Sequence, residues 1–290
     1  MADRYTAPLN KVTNTSVVNT SFEYDSAQRS PAFVDEFVQL LRYRDLVVLM
    51  AGNILKNRYK RSMLGVVWML LNPLLQTIVL AIAFGALFRS TLPHYPVYLL
   101  SGLLAWNFMT QTVQYAMGVM AGGGGLLKRI YIPRATYVVA VVGNGLVNFL
   151  ISVLPLALIV LALQHPVGAS WLFLPVSILV LTVFTLGLAL LLSTASVFFT
   201  DSIDIYQIVI QAGFFLTPVM YPPSVLPESL DSWLRLNPFF SLIELFRTPI
   251  YGNAIPDAGL IVGTVALALT TLLAGWAAFT RKADQLAYRL

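Results

Sequence analysis

The chain has 290 residues, 58% of them hydrophobic and only 11% charged, with 18 Lys and Arg against 13 Asp and Glu for a net charge of +5. A soluble domain carries about 25% charged residues, so these few cannot coat a water-facing surface, and the mean hydropathy of +0.76 agrees. The basic residues bunch at the ends of apolar runs, where they set membrane topology, which argues against nucleic-acid binding; the lack of cysteine excludes disulfides and thiolate metal sites.

Residues 1–30 are polar and rich in Ser, Thr and Asn, and are expected to form a disordered cytoplasmic tail without the apolar run of a cleavable signal peptide. Over 31–61, Phe33, Phe37, Leu40, Leu41 and Val48 recur at helical spacing opposite Asp35, Glu36, Gln39, Arg42 and Arg44. That pattern predicts an amphipathic helix region along the membrane interface. It feeds a basic cluster, Lys56, Arg58, Lys60 and Arg61, followed by an uncharged run from Gly65 to Phe88. About 24 helical residues reach roughly 36 Å, enough to cross a hydrocarbon core of about 30 Å. The cluster places the start of this span in the cytoplasm. Pro73, in Asn72-Pro73, removes a backbone donor inside the span, so the freed carbonyl must find another partner or a cavity.

The remaining spans are expected at about 97–120, 137–163, 171–199, 205–219 and 258–280, giving a six-span transmembrane domain over 62–290 with both termini cytoplasmic. The glycines at 122–125 precede a second basic loop and read as a flexible joint, with the wrong spacing for a phosphate cradle. Prolines at 218, 222, 223 and 227 stop the fifth span. The stretch 230–251, broken by Asn237-Pro238 and carrying Glu244 and Arg247, is too polar for a clean crossing and is expected to form re-entrant half-helices between spans five and six. The fold class is therefore all-α.

None of the six spans contains Asp, Glu, Lys, Arg or His, which counts against an ion-driven pump. No P-loop pattern occurs, so any ATP-driven work needs a partner. His94 and His165 lie in separate outer loops with no carboxylate nearby in sequence, so each reads as an ordinary loop residue. No catalytic group and no metal set is proposed. Aromatic residues gather at span ends: Trp68, Phe84, Phe88, Phe214, Phe215 and Tyr221. They suit either a conduit, where aromatic faces stack on sugar rings, or lipid-facing belts.

The run Arg58-Tyr-Lys-Arg-Ser-Met-Leu-Gly-Val-Val-Trp-Met-Leu-Leu-Asn-Pro-Leu74 resembles the start of the first span in membrane (permease) subunits of type-2 ABC exporters, in the branch that exports O-antigen, capsule and teichoic acid. Leu126-Leu-Lys-Arg-Ile-Tyr-Ile-Pro-Arg134 resembles that family's coupling helix, and Thr217-Pro-Val-Met-Tyr-Pro222 with Leu236-Asn-Pro-Phe239 and Phe246-Arg247 its extracellular gate. The resemblance implies a homodimer in the bacterial inner membrane, working with two ATP-binding cassette subunits that bind ATP and Mg. The substrate would be an undecaprenyl-pyrophosphate-linked polysaccharide. Leu126, Leu127, Lys128, Arg129, Ile130, Tyr131, Ile132 and Pro133 would seat in the ATPase, and Tyr59, Lys60 and Arg61 would meet the lipid pyrophosphate. Trp68, Asn72, Phe84, Phe88, Phe214, Phe215 and Tyr221 would line the channel. Two other functions stay open: a permease for a smaller amphiphile, and a membrane-embedded glycosyl- or acyltransferase.

Overall fold

The structure, a computed structural model, describes residues 32–60, 62–65, 67–88, 92–122, 134–227, 229 and 231–282. The described residues form helices and connections with no strand. In chain order they are α1 (Ala32–Arg42), α2 (Arg44–Tyr59), α3 (Val67–Phe88), α4 (Tyr95–Ala121), α5 (Ala135–Ala162), a 3-10 turn (Ala169–Phe173) continuing into α6 (Leu174–Phe198), α7 (Ser202–Leu216), a second 3-10 turn (Pro223–Val225), α8 (Asp231–Leu236), α9 (Pro238–Tyr251) and α10 (Ala258–Arg281). The stretch read as one interface helix region is thus two helices, separated at Tyr43.

Four segments are long and apolar enough to cross a membrane: Val67–Phe88, Ala135–Ala162, Ala169–Phe198 and Ala258–Arg281. Each falls on a predicted span. The helix α4 also coincides with one and has 27 residues, but its hydropathy is lowered by Asn107, Thr110, Gln111, Thr112 and Gln114. It tolerates them because it is the central element, packed against α3, α5, α6, α7 and α9 and buried along most of its length. With 15 residues, α7 is about 22 Å long and stops short of a full hydrocarbon core.

The ends of the bundle are marked by side chains. At one, Tyr251 donates its hydroxyl to Pro93 O at 2.8 Å, and the two histidines meet with their Nδ1 atoms 2.9 Å apart. His165 Nε2 lies 3.2 Å from both Ile250 O and Tyr251 O, two acceptors that its N–H can serve. Residues read separately as loop positions therefore tie two connections together. At the opposite, basic end, the Lys282 ammonium sits 4.5 Å from the centre of the Phe198 ring.

The core has two parts. Around Leu99, Leu100, Met109, Leu156, Leu181 and Phe246 it fills the His94 half; around Met117, Met120, Val138, Leu190 and Phe279 it fills the basic half. The tightest helix crossing joins α6 to α10. A Cβ on Gly275 would run into the Gly187 carbonyl, and one on Gly187 into the backbone of Leu272. Backbones that touch in this way substitute van der Waals contact for the hydrophobic drive that lipid does not supply.

Candidate functional site

Pro73 lies inside α3, where its missing N–H orphans the carbonyl four residues earlier, that of Met69. The Ser152 hydroxyl on α5 donates to Met69 O at 3.1 Å, answering the need the sequence had exposed. One turn on, Thr77 Oγ1 donates to Pro73 O at 2.7 Å. Beside this repaired break lies a cavity of about 1250 Å³, bounded by α2, α3, α4 and α5, with Ile203 of α7 at its edge. That exceeds the roughly 300–1,000 Å³ of an ordinary small-ligand site.

The lining combines amides, hydroxyls and aromatic rings. Asn107, Gln111 and Gln114 come from one face of α4 at positions i, i+4 and i+7, followed by Tyr115. Asn144, Asn148 and Ser152 come from α5 at i, i+4 and i+8. Asn148 Nδ2 donates to Asn144 Oδ1 at 3.2 Å, and Asn144 Nδ2 to Ala51 O of α2 at 3.3 Å. Asn107 Nδ2 donates to Gln76 Oε1 of α3 at 2.9 Å. Phe108 and Phe149, which also line the cavity, pack with ring centres 4.9 Å apart. Among the described lining residues none is Asp, Glu, Lys, Arg or His. Such a surface can exchange hydrogen bonds with a hydroxyl-rich ligand and stack against the apolar faces of its rings.

A second polar assembly occupies the His94 end. After α7 the chain runs through residues 217–222 without helical structure, so its carbonyls need outside donors. Four consecutive ones find them. Arg247 Nη1 donates to Pro218 O at 3.0 Å and Nη2 to Val219 O at 2.8 Å. Tyr95 Oη donates to Met220 O at 2.7 Å, and Tyr98 Oη to Tyr221 O at 2.9 Å. The guanidinium also meets Glu244 Oε1 at 3.0 Å and lies 3.9 Å from the centre of the Tyr98 ring. Arg247 is only 2% exposed. Gly102 makes its slot, because a Cβ there would collide with Arg247 Nη2 and crowd Val219 O. Asn237 closes the assembly: its Oδ1 caps α9 at Phe239 N (3.0 Å), while its Nδ2 donates to Thr217 Oγ1 (2.9 Å). Pro249 in α9 orphans Leu245 O, and the Ser177 hydroxyl of α6 donates to it at 2.9 Å.

Of the residues expected along a channel, Trp68 and Asn72 line the cavity. Phe84 and Phe88 are half-buried against the core of the His94 half, Phe88 tilted on Tyr95 at 5.7 Å. Phe214 packs edge-on to Trp106 at 5.7 Å, whereas Phe215 is 61% exposed. Tyr221 is half-buried and donates to Phe215 O at 2.8 Å. Lys60 is exposed just beyond α2. The side chain of Tyr59, residue Arg61 and the whole segment Leu126, Leu127, Lys128, Arg129, Ile130, Tyr131, Ile132 and Pro133 lie outside the described residues.

The cavity amides carry no charge, so the absence of ionisable groups from the spans gives no hint of them. The repeated amides at helical spacing, Asn107/Gln111/Gln114 and Asn144/Asn148, were the available signal. For Arg247, the charge was visible but not its partners on α4, reached across 149 positions at Tyr98.

Comparison with known proteins agrees with this architecture. Residues 45–251 match the ABC-2 type transporter membrane family. The chain is 32% identical over 253 residues to the O-antigen export system permease protein RfbA of Myxococcus xanthus, covering 86% of this chain and 96% of that one. It is 27% identical over 204 residues to the protein of the same name from Klebsiella pneumoniae (70% and 79% covered). To the polysialic acid transport protein KpsM of Escherichia coli it is 22% identical over 233 residues (79% and 90%). This multi-pass helical chain belongs to the ABC-2 type transporter membrane family.

Proposed function

We propose that the chain is the channel-forming permease of an ATP-driven exporter that moves a lipid-linked polysaccharide across the bacterial inner membrane. The observation that carries this reading is the large, amide- and hydroxyl-lined cavity beside the Pro73 break. Its walls mix amides and hydroxyls with apolar and aromatic side chains, a combination that suits sugar hydroxyls and ring faces. Relatives named for O-antigen export and polysialic acid transport support the same class of substrate.

In this reading the basic end faces the cytoplasm, following the positive-inside rule. The helices α3, α4, α5, α6 and α10 cross the membrane, α7 completes a sixth crossing together with the non-helical segment 217–222 that follows it, and α8 and α9 form half-helices dipping in from the far side. Two copies face each other through α3 and α7, whose Val79, Ile82, Ile205, Ile208 and Phe215 are exposed. Trp68, Asn72, Phe84, Phe88, Phe214, Phe215 and Tyr221 serve the path between the copies. Residues 1–30 are a cytoplasmic tail, and α1 and α2 lie at the membrane interface beside the entrance. Tyr59, Lys60 and Arg61 receive the pyrophosphate of the undecaprenyl carrier, for which clustered cations have an electrostatic use. ATP and Mg are handled by two separate cassette subunits. Their stroke enters through residues 126–133, with Lys128 and Arg129 as polar contacts and Leu127, Ile130 and Ile132 as apolar ones.

Reconstitution with the ATPase partner tests this reading. Lipid-linked glycan should stimulate hydrolysis and move across the bilayer, and the Lys128→Glu/Arg129→Glu pair should abolish transport while leaving insertion intact. Stimulation by small hydrophobic amphiphiles with none by lipid-linked glycan would overturn it.

A further inference from the structure

We infer that the contact between His94 and His165 is an acid-sensitive clasp. A single proton between the facing Nδ1 atoms ties the α3–α4 and α5–α6 connections together at the end of α9, and protonation of both rings releases them. The Nδ1 atoms lie 2.9 Å apart, with the rings edge-on at 79°. At that separation one nitrogen carries a proton and the other a lone pair. A first added proton fills an Nε2 and leaves the bridge intact. A second has only the facing Nδ1 left, and two N–H groups cannot point at each other across 2.9 Å. Imidazoles take up protons around pH ~6.5, so the clasp is held near neutrality and lost in acid.

The clasp bears on the whole His94 end. His165 is buried, and its Nε2 faces Ile250 O and Tyr251 O at 3.2 Å. Its ring stacks on Tyr251 at 5.5 Å, and Tyr251 lies edge-on to Tyr98 at 5.2 Å. Tyr98 in turn accepts from Arg247, which holds Pro218 O and Val219 O. His94 immediately precedes α4, the helix that supplies Tyr95 and Tyr98 to the same strap. The titratable groups around the pair are therefore Tyr95 and Tyr98 on α4, and Tyr251, Arg247 and Glu244 on α9. Asp257 follows in the next connection, where it caps α10 at Gly259 N. Arg89, after α3, lies outside the described residues. Among the described residues no carboxylate forms an ion pair with either ring, so none offsets a second positive charge there. The export reading enters only in giving the side: in its orientation the releasing proton comes from the outer medium.

The test needs neither substrate nor ATPase, so its failure is separate from failure of the export reading. The chain has only two histidines, and imidazole-15N labelling of the full chain in detergent micelles therefore reports on these two rings alone. In wild type they should take up protons in two separated steps, as interacting sites do. In His94→Asn, which keeps a residue type tolerant of the left-handed backbone at that position (φ 54°), His165 should titrate in one step and follow a different curve. Two independent steps in wild type, with His165 unchanged by His94→Asn, would overturn the inference. Between pH ~7.5 and pH ~5 the thermal midpoint of wild type should also fall by about 1–2 °C more than that of the His94→Asn/His165→Gln pair, the size of one lost hydrogen bond in a chain this long. An equal fall in both proteins would overturn it as well. Should the double variant not fold, the nitrogen titrations decide.

Discussion

Pro73 and Pro249 break two helices in the same way, and a serine from a neighbouring helix repairs each break, yet the surroundings have opposite character. Ser152 covers Met69 O beside a large open space walled with neutral amides. Ser177 covers Leu245 O beside a buried arginine, with Arg247, Tyr95 and Tyr98 holding four successive carbonyls. Burying a guanidinium is costly unless its N–H groups find acceptors; here Nη1 and Nη2 do, through Tyr98, Glu244, Pro218 O and Val219 O, while Nε has no hydrogen-bond partner. These bonds hold that end in one geometry. Amides around a cavity carry no such penalty and can trade partners with a passing ligand. The same backbone defect thus serves a rigid assembly at the His94 end and a compliant one beside the cavity.

The largest expected effect comes from removing the lock. Arg247→Ala should cost about 3–5 kcal/mol, read as a lower unfolding midpoint in detergent, and Arg247→Lys should recover only part of it because an ammonium cannot reproduce the planar fork. A wild-type midpoint for Arg247→Ala would erase the contrast between the two ends. Filling the slot from the other side, Gly102→Val should cost about 1–3 kcal/mol by overpacking, because its side chain would push on the Arg247 guanidinium and Val219 O. The two serines sharpen the comparison further. Ser152→Ala and Ser177→Ala should each cost about 1 kcal/mol, but only Ser152→Ala should also slow export, because only Ser152 borders the cavity. Smallest in stability is Gln111→Leu on the exposed face of α4, expected within about 0.5 kcal/mol of wild type while transport of lipid-linked glycan falls. Unchanged transport would remove Gln111 from the path.

Most of the bundle was legible in the sequence, since long uncharged runs between basic clusters have few alternatives in a bilayer. The predicted spans at 65–88, 137–163, 171–199 and 258–280 fall on apolar helices because apolar length alone decides them. Pro73 also announced its need for a donor, though nothing local named Ser152. What sequence could not supply were partners brought together by tertiary packing. His94 and His165 are 71 positions apart and meet ring to ring. Arg247 looked like a liability in a broken stretch until the strap at 217–221 and the α4 tyrosines surrounded it. The cavity stayed hidden for another reason: amides carry no charge, so a search for buried ions passes over them.

The chain contains no cysteine, so a single introduced thiol reports on one position without background. The most direct test compares Asn148→Cys with Val219→Cys in membranes, using a water-soluble maleimide with and without lipid-linked glycan. The cavity position should label readily and be protected by the glycan, while the clamped position, fully buried beneath Arg247, should label slowly with no response to it. Equal labelling at the two positions, or a cavity thiol indifferent to glycan, would contradict the division between a sealed end and a polar conduit.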